Sequence, residues 1–445
     1  MRQTDASIPT GHAASPATAE PKVLFQVVNG VGIATLNRPR QLNALSYPMI
    51  IALGAQLEAW AMDDAIRAIV LRGTGPKAFC AGGDVRALYD SYRDGTPLHQ
   101  PFFIDEYTLN YRLHRYPKPV VALMDGVVMG GGMGLAQAAH LRIITERSRV
   151  AMPETGIGLV PDVGGSYFLS KLPVQLALYL GLTGVTLNAA DALLCGLADA
   201  AVDSSTLAEL EKTLAGIVWG NDILADLRHA LAREHVTRAA DAPLLAVLPA
   251  LLHHFPAHAT LPQILADLAS EEDHRYTAWA TGTVDVLRTR SPLSACATRE
   301  LLLRGRRMDL ADCFRMELAV VVNAFSKGDL VEGVRALIVD KDNAPTWRVT
   351  TYEAVDDSAV QALFQPWWAP GQQPLPLNRL AWSVLGRGRA EWPPPPPRRI
   401  AGRGRAQPSL RLTQLPCANV PMLWWQAIHG WPTCSQQSSP WLHDA

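Results

Sequence analysis

Three short stretches between residues 79 and 165 combine glycines with carboxylates in a pattern that could polarise and attack a carbonyl. The first is Phe79-Cys80-Ala81-Gly82-Gly83-Asp84. The second is Met129-Gly130-Gly131-Gly132-Met133-Gly134. The third runs from Met152-Pro153-Glu154-Thr155-Gly156 to Val160-Pro161-Asp162-Val163-Gly164-Gly165, and sets two carboxylates eight residues apart. Glycine lets a ligand come close to the main chain. N–H groups at the start of a helix have no intrahelical partner and can bind an oxyanion. Two such sources could converge on one oxygen, with a carboxylate nearby as nucleophile or general base. Taken singly, each stretch has a plain structural reading as a tight strand-to-helix turn or a helix cap. Their order in one segment carries the weight.

Other chemistries fit less well. Gly130 to Gly134 is not a dinucleotide fingerprint, because that belongs in the first strand–helix turn with an acid about 20 residues on. Gly164-Gly165-Ser166-Tyr167-Phe168 lacks the second glycine of a GxSxG elbow, since Phe stands at 168. His114 and His140 read as structural. Six cysteines form no CxxC pair and no zinc spacing, so a reducing compartment is expected.

Alternating strands and helices must position these stretches. Val23 to Val28, Asn29-Gly30 and Val31 to Leu36 read as a hairpin with a type I′ turn. Ser46 and Pro48 predict the start of a helix over 49–60. Strands are expected at 66–71, 120–124, 142–145 and 150–152. Helices are expected at 84–91, 105–114, 164–182 and 188–196. This is an α/β pattern. From about 205 the chain turns Leu-, Ala- and Arg-rich and reads as mainly helical, with two helices over 301–334 and strand-like pieces at 336–339 and 348–352. The composition breaks again near Pro366, before a Pro-, Trp- and Arg-rich tail with five prolines at 393–397. The expected organisation is a flexible arm (1–20), an α/β core (21–204), a mainly helical region (205–365) and an irregular tail (366–445).

The 445 residues carry 40 basic and 41 acidic side chains, a net charge of −1, and 48% are hydrophobic. That balance suits a packed globular protein and gives no electrostatic footprint for nucleic acid. No apolar run reaches the roughly 18 residues of a spanning helix. The first 20 residues lack the apolar stretch of a secretory signal. A cytoplasmic location without a membrane partner is expected.

In combination these phrases resemble the crotonase (enoyl-CoA hydratase/isomerase) superfamily. The resemblance rests on Leu36-Asn37-Arg38-Pro39, Leu42-Asn43-Ala44-Leu45, FCAGGDVR at 79–86, FFIDEYTLN at 102–110, VMGGGMGL at 128–135 and AMPETGIGLVPDVGGSYFL at 151–169. It is closest to the 3-hydroxyisobutyryl-CoA hydrolase branch. It is strong over 23–202 and weaker to about 367.

The resemblance implies a spiral of ββα units with a helical C-terminal region. It implies that the N–H groups of Gly83 and Gly131 form an oxyanion hole, and that Glu154 is the main catalytic carboxylate. Asp162 would face the acyl group or assist proton transfer. Glu106 would line the acyl pocket, and Ala81, Gly82 and Asp84 would lie against the CoA moiety. CoA would enter with the acyl-CoA substrate, with no resident cofactor or metal. A homo-oligomer, trimer or hexamer, is also implied. Arg38, Arg40 and Lys77 are positional candidates for the CoA phosphates. Hydratases of the superfamily carry a second Glu where this chain has Gly134, which tilts the reading from water addition to thioester hydrolysis. An enoyl-CoA hydratase or isomerase and a non-catalytic acyl-CoA-binding protein are the alternatives.

Overall fold

The computed structural model describes residues 20–232 and 238–377. Strands β1 (Val23–Val28) and β2 (Val31–Leu36) form the expected antiparallel hairpin, with Asn29 and Gly30 at φ 49° and 77°. From β2 onward the main sheet is parallel. Its remaining strands are β3 (Ala68–Gly73), β5 (Val120–Met124), β7 (Leu141–Thr145) and β9 (Ala200–Val202), in the order β1-β2-β3-β5-β7-β9. A second parallel sheet holds β4 (Ala78–Cys80), β6 (Val127–Met129) and β8 (Arg149–Ala151) in the order β4-β6-β8. From β3 to β8 each excursion contributes one strand to each sheet and then helical residues, which is the ββα spiral; the opening hairpin places both of its strands in the main sheet.

Sixteen α-helices accompany them among the described residues. Eight precede the helical region or open it: α1 (Tyr47–Met62), α2 (Val85–Arg93), α3 (His99–His114), α4 (Gly131–Gln137), α5 (Gly165–Phe168), α6 (Val174–Thr183), α7 (Ala189–Leu194) and α8 (Leu210–Ala215). The others are α9 (Ile223–Leu231), α10 (Leu244–His254), α11 (Leu261–Ala269), α12 (Thr277–Thr289), α13 (Pro292–Gly305), α14 (Leu310–Ser326), α15 (Leu330–Val334) and α16 (Asp357–Phe364).

The period-2 alternation of the strands sorts the core. Val31, Ile33, Ala68 and Val70 face α8 and α9 through Leu210, Leu214 and Leu227. Ala34, Leu36, Ile69 and Leu71 face the opposite side, in a cluster that continues through the helices to Leu375 and Leu377. The α/β residues and the later helices therefore share one core. Packing also runs past the composition break at 366, since Leu375 and Leu377 are buried and Trp367 and Trp368 pack beside them. The proline run at 393–397 lies outside the described residues, as do residues 1–19. Among the described residues no helix is long and apolar enough to cross a membrane, and Cys80, Cys195, Cys296 and Cys313 are unpaired.

Four local expectations are corrected. Residues 336–339 form no strand: Arg335–Val339 continues α15 as a π-helical turn, with Asp340 N–H donating to the Arg335 carbonyl. A short apolar run cannot by itself distinguish strand from helix. Residues 348–352 find no strand partner; Arg348 instead closes the end of α14, donating to the carbonyls of Ser326 and Gly328. The helix expected over 164–182 breaks before Pro173 into α5, a 3₁₀ turn and α6. Ser46 precedes α1, but its buried hydroxyl makes no cap bond.

Candidate active site

The small parallel sheet brings the three glycine-bearing stretches together, two of them with carboxylates. Cys80 pairs with Val128 and Met129 pairs with Ala151, so the chain leaves three adjacent strands at the same end, at Ala81, Gly130 and Met152. Ligands in parallel sheets collect outside the carboxyl ends of the strands. The expected catalytic, oxyanion and substrate residues, except Asp84, line one cavity of about 280 Å³ there; the phosphate candidates Arg38, Arg40 and Lys77 do not line it. That size lies near the lower end of ordinary ligand pockets, roughly 300–1,000 Å³. It suits a short acyl group and its thioester better than a whole nucleotide.

The main chain is arranged to offer donors. Gly83 forms a parallel bridge with Leu45, in which Leu45 N–H donates to the Gly82 carbonyl and Asp84 N–H to the Leu45 carbonyl. That pattern turns Gly83's own N–H to the other side. Gly131 is the first residue of α4, where the N–H has no intrahelical acceptor. The two loops nearly touch: a Cβ on Gly82, which sits at φ 108°, would lie 3.8 Å from the Gly131 nitrogen. At Gly132 a Cβ would stand 2.2 Å from the Cys80 carbonyl oxygen, so only glycine lets α4 come this close to β4.

Three buried carboxyl groups face this space. Glu106 projects from α3, Glu154 from the turn after β8, and Asp162 from the loop before α5; they are 2%, 5% and 5% exposed. Burial pushes the Glu106 and Glu154 carboxyls well above their ordinary values, and the Asp162 charge pushes both further. Burial also raises Asp162, to about 6, against the pull of the Tyr107 hydroxyl, which donates to its Oδ2 at 2.6 Å. Glu106 Oε1 and Glu154 Oε2 have no hydrogen-bond partner among the described residues. A buried carboxyl oxygen left unpaired is costly, which suits a group that meets a ligand. Asp162 is followed by Val163 at φ 52°. A β-branched residue in that region costs about 1–3 kcal/mol, and such strain concentrates at functional sites.

Several residues at the cavity escape sequence reasoning. Tyr107 lies within the quoted DEY phrase, but nothing in the spacing links it to Asp162. Phe102 and Phe103 of α3 form one wall. Phe325, Leu330, Val331, Val334, Leu337 and Ile338 of the helical region form another, with Arg290 beside them. Phe102 and Phe103 open the FFIDEYTLN phrase; no motif marks the others, and all of those but Arg290 are ordinary apolar helix positions. Asp84, expected against CoA, is used otherwise: its carboxylate accepts Ala87 N–H as the cap of α2 and pairs with Arg38 at 2.9 Å. Arg38 also donates to the Ala44 carbonyl, so it ties the Leu42–Leu45 segment to the first glycine loop. His253, His254 and Asp267 are close enough together to hold a metal, but none lines the cavity. Both ring nitrogens of His254 are taken, by Asp267 at 2.7 Å and Glu271 at 2.8 Å.

Gly134 is the informative absence of an acid. A Cβ there would stand 2.6 Å from Asn110 Nδ2 and 2.7 Å from Val163 Cβ. The fully buried Asn110 and the strained Val163 occupy the room that a longer side chain would need.

Comparison with known proteins agrees with this architecture. A family profile described as enoyl-CoA hydratase/isomerase matches residues 31–364. The 3-hydroxyisobutyryl-CoA hydrolase of Gallus gallus, named as mitochondrial, is 39% identical over 349 residues, 77% of this chain and 89% of that protein. 3-Hydroxyisobutyryl-CoA hydrolase 1 of Arabidopsis thaliana is 37% identical, over 78% of this chain and 92% of its own length. Among solved structures, a carnitinyl-CoA dehydratase from Mycobacterium thermoresistibile is 36% identical with a TM-score of 0.70, covering 78% of this chain and 96% of that one. An enoyl-CoA hydratase from Rhodobacter sphaeroides is 35% identical with the same TM-score, covering 78% and 98%. With its two interlocked sheets and glycine loops matched over most of its length, the chain belongs to the enoyl-CoA hydratase/isomerase family.

Proposed function

We propose that this chain hydrolyses a short-chain hydroxyacyl-CoA thioester of the 3-hydroxyisobutyryl type, as in valine breakdown. The observation that carries it is a buried Glu154 carboxyl, its Oε2 without a partner among the described residues, beside two main-chain donors at one small cavity where Gly134 leaves no room for a second acid. The names of the similar hydrolases support the same substrate class. In the proposed reaction the thioester oxygen lies between the N–H groups of Gly83 and Gly131. Charge gathers there as the carbonyl carbon is attacked; losing one such donor costs about 10²–10³ in rate.

Glu154 acts in its ionised form, either attacking the carbonyl carbon to form an acyl anhydride or taking a proton from the attacking water. The C–S bond breaks, CoA leaves as the thiol after gaining a proton, and the oxygen of water ends in the free acid. A carboxyl with a raised pKa is the stronger base once ionised. Asp162 and Glu106 bind the acyl hydroxyl or relay the proton, and Ala81 and Gly82 border the thioester end of CoA. The reaction needs no resident cofactor or metal.

The test is thiol release from 3-hydroxyisobutyryl-CoA, 3-hydroxypropionyl-CoA and crotonyl-CoA. Release from the hydroxyacyl substrates is expected, falling at least about 10²-fold in Glu154→Ala. The second reading, an enoyl-CoA hydratase or isomerase, is favoured by the names of the two similar solved proteins, a carnitinyl-CoA dehydratase and an enoyl-CoA hydratase. It requires crotonyl absorbance to fall without thiol release. Binding of acyl-CoA with neither signal would instead indicate a non-catalytic binding protein. A cytoplasmic location and a trimer or hexamer belong to the same proposal. The vertebrate relatives are named as mitochondrial, so cell fractionation tests the first, and light scattering the second.

A further inference from the structure

Asp162 sits on a strained turn. Gly165 N–H donates to the Asp162 carbonyl at 2.7 Å, and the two residues between them, Val163 and Gly164, have φ of 52° and 91°. Glycine adopts that conformation readily, but valine does not. Something outside the loop must hold it. Tyr107 grips the Asp162 carboxylate itself, from α3. The main chain is gripped by Glu317 of α14, the helix that packs against α3. Glu317 is fully buried. Its Oε2 accepts Gly164 N–H at 2.7 Å, and its Oε1 accepts both Ser166 N–H at 2.9 Å and the Ser166 hydroxyl. A buried carboxyl is expensive unless its hydrogen bonds are satisfied, and here every one of its bonds goes to the three residues after Val163.

We propose that Glu317 is a positioning residue for the reaction: through Gly164 and Ser166 it locks the Val163–Gly164 turn and so aims Asp162 into the cavity. The inference rests on the hydrolase reading above. It gives the helical region a part in the chemistry beyond forming a wall. Burial raises the Glu317 carboxyl to about 8 against the pull of its three donors. When ionised it accepts from the Ser166 hydroxyl, and when protonated it can donate to that hydroxyl instead, so the link to the loop persists in either form.

Glu317→Met keeps the bulk and removes every acceptor. Glu317→Gln keeps one. Thiol release is measured for both variants, alone and combined with Asp162→Asn. Misplacement of a reacting group by about 1 Å costs up to about 10²-fold. We expect kcat to fall by about that factor in Glu317→Met, with Glu317→Gln recovering part of it. In the Asp162→Asn background the same change should cost less than about 3-fold, because the group being aimed is already gone. An equal loss in both backgrounds would show Glu317 to be merely structural and overturn the proposal. Amide hydrogen exchange, which needs no substrate, provides an independent reading. Protection at Gly164 and Ser166 should drop in Glu317→Gln, and unchanged protection there overturns the proposal whatever the enzyme does. If Glu317→Met fails to fold, Ser166→Ala removes one contact only and should show the same dependence on Asp162. Silence of the wild-type protein on every thioester would sink the hydrolase reading, while the exchange result would still decide the role of Glu317.

Discussion

Asp162 pits chemistry against stability. Its carboxyl titrates near 6 in the folded chain and at 3.8 ordinarily, because burial disfavours the charge. Folding is therefore helped while the group is protonated, and that help is lost as the pH rises from about 4 through 6. The gap corresponds to about 3 kcal/mol above pH 6. Asp162→Asn, which can still accept the Tyr107 hydroxyl, should unfold at higher urea than the parent at pH 8, with the advantage shrinking by pH 4.5. An equal gain at both pH values would trace the effect to something other than this titration. Activity should fall in the same variant. Gly131→Ala tests the opposite wall: its Cβ would lie 2.5 Å from Glu106 Oε1 and 3.3 Å from Leu45 Cδ1. Thiol release should drop about 10²-fold as the donor moves, with a circular dichroism spectrum like that of the parent. Glu154, Asp162 and the glycines were legible in the sequence because each sits in a run of unusual composition. Tyr107 and Glu317 were not, because a single polar residue in a helix looks the same whether it meets solvent or a loop 55 or 153 positions away.

At the scale of elements, the small sheet was only partly legible. Strands β4, β6 and β8 are three residues each, and each ends where one of the three glycine-bearing stretches begins. Only β8 falls on an expected strand, at 150–152; β4 and β6 are too short to show a period. The π-helical turn at Arg335–Val339 was illegible for the opposite reason. Its Ala-Leu-Ile-Val run satisfies a strand pattern locally, and only packing beside the cavity decides otherwise. The element-level prediction concerns α4 against α3. Gly134→Glu would force a side chain into the space of Asn110 and Val163. It should lower the melting temperature and leave crotonyl-CoA absorbance unchanged, since overpacking a core costs about 1–3 kcal/mol. A variant that hydrates crotonyl-CoA would show that this room can be opened and that Gly134 alone separates the two chemistries.

Across the whole molecule, the shared core predicts one cooperative unfolding transition rather than separate ones for the α/β and helical parts. The packed body also outlasts the change in composition. A chain ended at Gln365 lacks Leu375 and Leu377, both buried. It should be about 4 kcal/mol less stable than one ended at Leu377, at about 2 kcal/mol for each buried leucine; calorimetry of the two truncations makes the comparison. Proline and tryptophan read as irregular in composition even where, as at Trp367 and Trp368, they pack. The main-chain donors have a consequence for descent. An amide N–H is common to nearly every residue, so on the proposed mechanism substitutions away from Gly83, Gly131 and their glycine neighbours leave the oxyanion cradle standing. On the same mechanism, a lineage that lost Glu154 by drift would keep a cradle for thioesters and nothing to break them. Decay of the gene would then yield a carrier before it yielded an unfolded chain.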